Sequence, residues 1–562
     1  MLFFDFEVFK YDWLVVIYDM VNKKQHVIVN DKEQLEGVYN ENKQNIWIGY
    51  NSKNYDQYIL KGILCDFNPY EVSAHLIEKN LPGYKFSSLF NKLPLLNFDI
   101  MTQMVGLKTL EGFMGHDIRE SNVDFTIDRK LTEEELQEVI KYCRHDVEQT
   151  IEVFLQRREE FDSQLALIKA FNLPLNYIAK TKPQLSAIIL GAKKAHERDD
   201  EFDLIIPDTL RLKKYKFVLD WYMNPKNRNY KNELKVEVAG VMHKFAWGGL
   251  HGAREKYQGE GFFLNIDVAS FYPALMIEYG FSSRNISNPN KYREIRDTRL
   301  ILKKNNDPKQ LPYKTVLNST YGAMKDKYND LYDPRQANNV CVGGQLLLLD
   351  LIEKLEPHCE IIQSNTDGIL LKLHKEDDFE LIDDICYEWE KRTRMELEFE
   401  QIKKVYQKDV NNYITVDFDG KCKSKGAYVK KLNDLDYDLP IVNRAITEYL
   451  VNGIHPAKTI NDCNSLREFQ KIVKVSSAYK YAMHNGIKLR EKTFRVFASS
   501  KISDGTLYKC KENKNPEKFA NTPDKAFICN DDVRDALCPK YLDKAWYLDL
   551  AIKRLEDFGI KL

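Results

Sequence analysis

Two carboxylates and the side chains lying between them in the chain define the chemistry this sequence can perform. Asp267 ends the apolar run Gly261-Phe-Phe-Leu-Asn-Ile-Asp267, and Asp367 sits in the polar turn Asn365-Thr-Asp-Gly368 between the runs Ile361–Ser364 and Ile369–Leu371. A carboxylate at the end of a buried strand is costly unless it binds a metal or finds a partner, and two such acids can share a pair of divalent cations. In the intervening sequence, Lys314 can meet a triphosphate, and Tyr272, in Ser270-Phe271-Tyr272-Pro273, can lie against a sugar. These are the parts that phosphoryl transfer from a nucleotide requires. Each segment alone also fits a structural turn or a core aromatic; it is their combination with Lys314 that points to chemistry.

A second set of acids lies in the N-terminal third. Asp5 and Glu7 are spaced by two within the strand-like run 2–9, which puts both on one face, where they could hold a divalent cation together. Alone, the pair would read as an edge strand with alternating acids. Asn51-Ser-Lys-Asn-Tyr-Asp56 follows the apolar strand Ile46–Tyr50 and precedes a helix expected from Tyr58. Leu131-Thr-Glu-Glu-Glu is a good helix start, and on that helix Tyr142 and Asp146 are four apart, hence on one face.

The elements that position the first set are legible in outline. Residues 290–304, with Arg293, Arg296, Arg299, Lys303 and Lys304, and residues 309–324 read as two helices joined by Asn305-Asn-Asp-Pro. On the second, Lys314, Asn318 and Tyr321 recur at spacings of four and three and share a face. Arg299 and Lys303, four apart, are candidates for phosphate oxygens; Arg293 and Arg296 fit a solvated face equally well. The glycines of Trp247-Gly248-Gly249-Leu-His-Gly252 would let backbone approach a ligand closely, or simply form a turn. Residues 421–431 carry five lysines and Tyr428, a pattern that is usually solvated surface. Residues 147–200 look helical, and Lys213-Lys214-Tyr215-Lys216 reads as solvated.

In order and content the motifs resemble those of family B DNA polymerases, especially compact bacteriophage members with 3′–5′ proofreading. Asp5/Glu7, Asn51–Asp56 and Tyr142–Asp146 match the D-x-E, N-x-x-x-[FY]-D and Y-x-x-x-D exonuclease motifs, and Lys314–Gly322 matches K-x-x-x-N-S-x-Y-G at every fixed position. The resemblance implies an α/β multidomain fold, an RNase H-like exonuclease domain followed by a right-hand polymerase. The implied bounds are exonuclease 1–160, helical connector and template-contact segment 161–255, palm 256–289 and 325–415, fingers 290–324, and thumb with C-terminal region 416–562. By the same resemblance Asp5, Glu7, Asp56 and Asp146 ligate two metal ions, Tyr142 orients the attacking water, and Asn51 helps hold the terminal nucleotide. Asp267 and Asp367 would hold two Mg²⁺ ions, with Mn²⁺ able to substitute. Ser270, Phe271, Tyr272, Arg299, Lys303, Lys314, Asn318 and Tyr321 would bind the incoming nucleotide, Tyr272 excluding a 2′-hydroxyl. Trp247, Gly248 and Gly249 would contact template, and Lys425 and Tyr428 the primer. The chain departs from the family pattern D-T-D-S at Asn365 and Gly368, and from the primer-binding pattern at Gly426; the retained Asp367 is the bridging acid, so activity is expected to persist.

Composition accords with this. The 562 residues exceed one core, and 43% hydrophobic with 30% charged residues is ordinary for a folded protein. A net charge of −1 announces no global basic field, yet local clefts can be basic while metal sites are acidic. Ten cysteines without a C-x-x-C pair suggest free thiols in a reducing compartment, hence cytoplasm, that of the host if phage-encoded. The N-terminus has no basic segment ahead of its apolar run, so neither a signal peptide nor a membrane partner is expected. The expected partners are primer–template DNA, dNTPs and other replication proteins, with the chain acting as a monomer. Lys314 comes only 47 positions after Asp267, and Asp367 only 45 positions after Gly322. That leaves no room for the insertions of protein-primed relatives, so priming from an existing 3′-hydroxyl is expected. A protein-primed enzyme, and an exonuclease with a degenerate second half, are the alternatives.

Overall fold

A computed structural model describes residues 1–102, 104–195 and 200–562. The chain divides into two compact units, one comprising 1–180, 432–441 and 461–547, the other 181–431, 442–460 and 548–562.

The first unit is built on a five-stranded sheet of β1 (Leu2–Val8), β2 (Trp13–Asp19), β3 (Lys24–Val29), β4 (Ile46–Gly49) and β5 (Leu96–Asp99), in the order β3-β2-β1-β4-β5. β1 runs antiparallel to β2 and parallel to β4. Six of the seven residues of β1 are buried, with Asp5 half-buried among them, so the strand is covered on both faces. One cover is the helix Glu133–Gln156, which lays Val139, Cys143, Val147 and Val153 in the core. Its start is fixed by a capping box, in which Thr132 and Glu135 satisfy each other's backbone donors.

The second unit carries a nine-stranded sheet of β6 (Glu233–Val238), β7 (Val241–Ala246), β8 (Gly249–Ala253), β9 (Tyr257–Val268), β10 (Cys359–Ser364), β11 (Gly368–Leu373), β12 (Leu397–Asp409), β13 (Asn412–Val416) and β14 (Cys422–Lys425). Its order is β14-β13-β12-β9-β11-β10-β8-β7-β6, which sets β9 between β11 and β12. The helix Pro334–Leu355 packs against this unit with both faces buried; its Asp350, fully buried, is neutralised by Arg392 and Lys354. The expected helical pair is present as Asn290–Lys304 and Gln310–Lys325, locked together by the Tyr292 hydroxyl donating to the Leu317 carbonyl at 2.9 Å.

The C-terminal stretch does not form a unit of its own. β15 (Lys471–Lys474), β16 (Tyr481–His484), β17 (Ile487–Leu489), β18 (Thr493–Ala498), β19 (Tyr508–Cys510), β20 (Glu517–Lys518) and β21 (Ala526–Ile528) belong to the first unit. They form a three-stranded sheet, β15-β18-β21, and a four-stranded one, β17-β16-β19-β20. Helix is interrupted within 147–200, ending at Gln156, Ala170 and Ile189; 196–199 lie outside the described residues.

Candidate active sites

In the second unit, β9 ends at Asp267 and Val268, and the antiparallel register places Gly368 of β11 directly opposite Asp267. The Val268 amide donates to the main-chain oxygen of Asp367 at 2.8 Å, fixing the turn against the end of β9. Asn365 closes the turn: its amide donates to the Gly368 carbonyl, and its side-chain oxygen accepts from Thr366 N. Asp267 is half-buried and Asp367 exposed. Burial, and then the charge of Asp367, push the Asp267 carboxyl up to about 6, although the Asn265 amide donates to it at 2.6 Å. Two acids this close, one of them raised by burial and by the other's charge, are a donor pair that suits a hard divalent cation.

Gly368 makes this approach possible. A β-carbon there would collide with Asp267 Oδ1. Gly426 likewise has φ +98°, and a β-carbon would strike Asn412 and the Asn411 carbonyl. Two of the three departures named above, Gly368 and Gly426, therefore have local steric causes.

Beyond β9, Ser270 adopts a left-handed conformation (φ 48°) and starts the helix Phe271–Glu278. Its hydroxyl accepts from Arg299 Nη1 at 2.9 Å. The Tyr272 ring lies 4.3 Å from that of Tyr321, so the helix Gln310–Lys325 meets the helix Phe271–Glu278, which follows β9, through these two rings. Lys314 and Asn318 are exposed on the same face of that helix. Lys303 sits 3.7 Å from Glu398, whose backbone pairs with Asp267 across β12 and β9. Arg293 and Arg296 instead engage Glu278 at 3.4 and 3.1 Å, which leaves them in ion pairs.

Two side chains are not where the motif reading set them. Trp247 is 2% exposed, donates to the Asn227 carbonyl, and packs edge-on against Phe202 and Tyr222. It is a core residue, and only Gly248 of the turn between β7 and β8 is exposed; Gly249 is buried with φ +155°. Phe271 is also buried, its ring against Gly344 of the helix Pro334–Leu355, so its side chain is unavailable to a nucleotide. Lys425 is exposed at the end of β14, and Tyr428 is stacked between Lys408 and Arg554.

In the first unit, Asp5 and Glu7 on β1, Asp56 at the first turn of the helix Asp56–Leu64, and Asp146 on the helix Glu133–Gln156 converge. Asp56 Oδ1 accepts from the Phe6 amide at 3.0 Å. Carboxyl oxygens of Asp5 and Glu7 lie within 4.8 Å of each other and of Cys143 Sγ. Burial, then the neighbouring carboxylates, push Asp5 well above its ordinary range, with Asp56 first among those neighbours; Glu7 is raised by burial and Asp146. Asp56 is raised to about 7, with burial the largest cause. Four carboxylates crowded out of water repel one another, and a bound dication would relieve that repulsion. Tyr142 lies beside Asp146, and Asn51, with φ 59°, donates its amide to Asp99 Oδ1 at 2.9 Å.

Sequence reasoning missed three participants. Lys108 is half-buried beside these acids: its ammonium pairs with Asp146 and with Glu111 at 3.0 Å, and lies 4.6 Å from the Tyr142 ring centre. Burial opposes its charge, but Asp146 and Glu111 hold its proton affinity high. A lysine and a glutamate three apart within Leu107-Lys-Thr-Leu-Glu-Gly-Phe-Met114 were the available signal. Tyr413 in the second unit is raised by burial and by Asp267 and Asp367, which sets it beside the acid pair. Its position before Ile-Thr-Val carried no hint of that.

A solved structure of the family B DNA polymerase from the hyperthermophilic archaeon Pyrobaculum calidifontis is similar at a TM-score of 0.43 and 13% sequence identity, the match covering 100% of this chain and 78% of that one. No family model and no curated protein matches the chain. Among the described residues, no helix is long and apolar enough to cross a membrane.

Proposed function

We propose that this chain is a template-directed DNA polymerase of the family B type, with a 3′–5′ proofreading exonuclease, extending a primer from an existing 3′-hydroxyl. The observation that carries this reading is the juxtaposition of Asp267 with the Asp367 turn, beside a helix that presents Lys314, Asn318 and Tyr321 on one face. The second unit then serves as palm and fingers, the first as nuclease.

Asp267 and Asp367 would hold two divalent cations, Mg²⁺ by preference, which lower the pKa of an attacking hydroxyl and stabilise the departing pyrophosphate. The remaining roles belong to the chain. Lys314 and Arg299 offset charge on the triphosphate, and Asn318 lies alongside it. Tyr321 supports the nascent pair, while Tyr272, held against Tyr321, lies under the sugar where a 2′-hydroxyl would clash. Lys425 and Tyr428 contact the primer backbone, fixing register without reading sequence. In the nuclease, Asp5, Glu7, Asp56 and Asp146 would hold the cations; Tyr142 and Lys108 orient the water and counter the charge that develops on the phosphate.

Primer extension on a DNA template in Mg²⁺, with and without dNTPs, tests both halves. The primer should lengthen with dNTPs and shorten without them. Degradation without any incorporation would favour a nuclease with an inactive second half.

A further inference from the structure

The turn that carries Asp367 is also held by two histidines of the second unit. On one face of the sheet the antiparallel registers set His243 of β7, Gly252 of β8 and Ser364 of β10 in line. A side chain at 252 would block the path between them, since a β-carbon there would come within 2.3 Å of the His243 ring. Glycine thus lets the imidazole cross β8 and reach Ser364. His243 Nδ1 lies 2.8 Å from the Val241 carbonyl, which can only accept, so Nδ1 carries the proton. Nε2 is then the acceptor, and the Ser364 hydroxyl donates to it at 2.6 Å. The ring is fully buried, and burial pushes it down to about 4, the bond to Val241 opposing. Side chains alternate along a strand, so His251 points to the opposite face, where Lys244 is its cross-strand neighbour. There its ring is hydrogen-bonded to the Asn365 side chain. Partial burial lowers its proton affinity; the Asn365 bond opposes this, and the charges of Lys425 and Lys244 lower it again. The ring and the Thr366 hydroxyl both lie over Gly249, where a β-carbon would be 3.4 Å from His251 Nε2 and 3.6 Å from Thr366 Oγ1. Asn365 in turn accepts from the Thr366 amide and donates to the Gly368 carbonyl, both at 2.9 Å, so it ties His251 to both ends of the turn.

We propose that His243 and His251 are positioning residues for Asp367: they hold Ser364 and Asn365 from opposite faces of the sheet and so fix where the turn presents its carboxylate to Asp267. Hydrogen-bonded partners behind a metal ligand orient it, and they matter nearly as much as the ligand itself. Asn365, which stands where the family pattern has an acid, gains a physical role in this arrangement. A carboxylate there would add a third charge beside Asp267 and Asp367 and draw a proton onto His251. The amide makes the same link without charge. The proposal rests on the polymerase reading above and adds to it the support of one of its two acids.

The test uses the full chain carrying Asp5→Ala and Glu7→Ala, so that the nuclease acids neither shorten the primer nor compete for metal. Two quantities are measured: single-nucleotide incorporation on primer–template DNA, and Mn²⁺ binding without nucleotide by electron paramagnetic resonance. His251→Ala and Ser364→Ala should each lower kcat about tenfold or more and weaken Mn²⁺ binding by a similar factor. KM for the dNTP and primer–template affinity should stay near the parent's values. Ser364→Ala tests the His243 contact without emptying the buried ring's site. His251→Gln, whose amide can still donate to Asn365, should retain most of both quantities. Parental kcat and Mn²⁺ binding in His251→Ala, or a His251→Gln as impaired as His251→Ala, overturns the positioning role while leaving the polymerase in place. A loss of primer–template affinity in step with kcat overturns it too, by placing the defect in DNA contact or folding. A parent chain that incorporates no nucleotide overturns the polymerase reading and this inference with it.

Discussion

Gly368 lies directly across the strand pair from Asp267, and the space that a side chain at 368 would take is filled by the Asp267 carboxylate. Asn265 holds the other oxygen of that carboxylate at 2.6 Å. Gly368→Ala should therefore drive Asp267 off its hydrogen bond and away from Asp367. A displaced ligand of this kind should cost on the order of 10- to 100-fold in kcat for single-nucleotide incorporation. Degradation of single-stranded DNA should be unaffected, and steady-state incorporation assays beside a nuclease assay would show the split.

Tyr272 is fixed by the neighbouring Tyr321 ring at 4.3 Å rather than free to swing away. Tyr272→Val should raise the relative use of ribonucleotides by about tenfold or more, measured as the ratio of kcat/KM for dGTP to that for GTP. An unchanged ratio would place discrimination elsewhere.

Lys108 is the ammonium found between Asp146 and Glu111 beside the candidate nuclease centre. Lys108→Met should lower exonuclease kcat by roughly 10²-fold, the order seen when a charge-stabilising donor is removed, and leave primer extension intact. Asp5→Ala with Glu7→Ala should abolish degradation under the same conditions. If degradation survives the double substitution, the nuclease lies elsewhere.

The strand-and-helix frame was largely legible, because its signals are local. Leu131-Thr-Glu-Glu-Glu announced the helix bearing Tyr142 and Asp146, and the two strand-like runs flanking the polar turn at Asp367 announced a hairpin. Burial was not legible. Trp247 and Phe271 sit inside recognisable motifs, yet whether a large ring faces ligand or core depends on Phe202, Tyr222 and Gly344, residues far off in the chain. Lys108 escaped for a related reason: it is 38 positions from Asp146, and nothing local pairs them. The joining of 461–547 to the N-terminal unit is a tertiary event, set by contacts such as Arg495 to Gly112.

Asp56 offers a test that does not require turnover. Its folded-state pKa, about 7, exceeds its ordinary value of 3.8. The folded state thus holds this proton more tightly than the unfolded chain. The resulting stability is complete below about pH 4 and is lost as pH rises through 7. At pH 8 in EDTA the charged carboxylate therefore destabilises the fold, and Asp56→Asn should raise Tm by a few degrees, at roughly 2–4 °C per kcal/mol. Adding Mg²⁺ or Mn²⁺ should raise the Tm of the wild type more than that of the variant. Equal shifts would remove Asp56 from the metal site.

The sharpest measurement is single-nucleotide primer extension by Asp267→Asn and Asp367→Asn, each in a background carrying Asp5→Ala and Glu7→Ala so that degradation cannot mask the result. Both substitutions keep side-chain volume and remove one charge from the pair. Incorporation should fall by about 10³-fold or more in each, while primer–template binding at low salt stays within a few-fold of the parent. Incorporation at parental rates in either variant would contradict the claim that these two acids share the reaction.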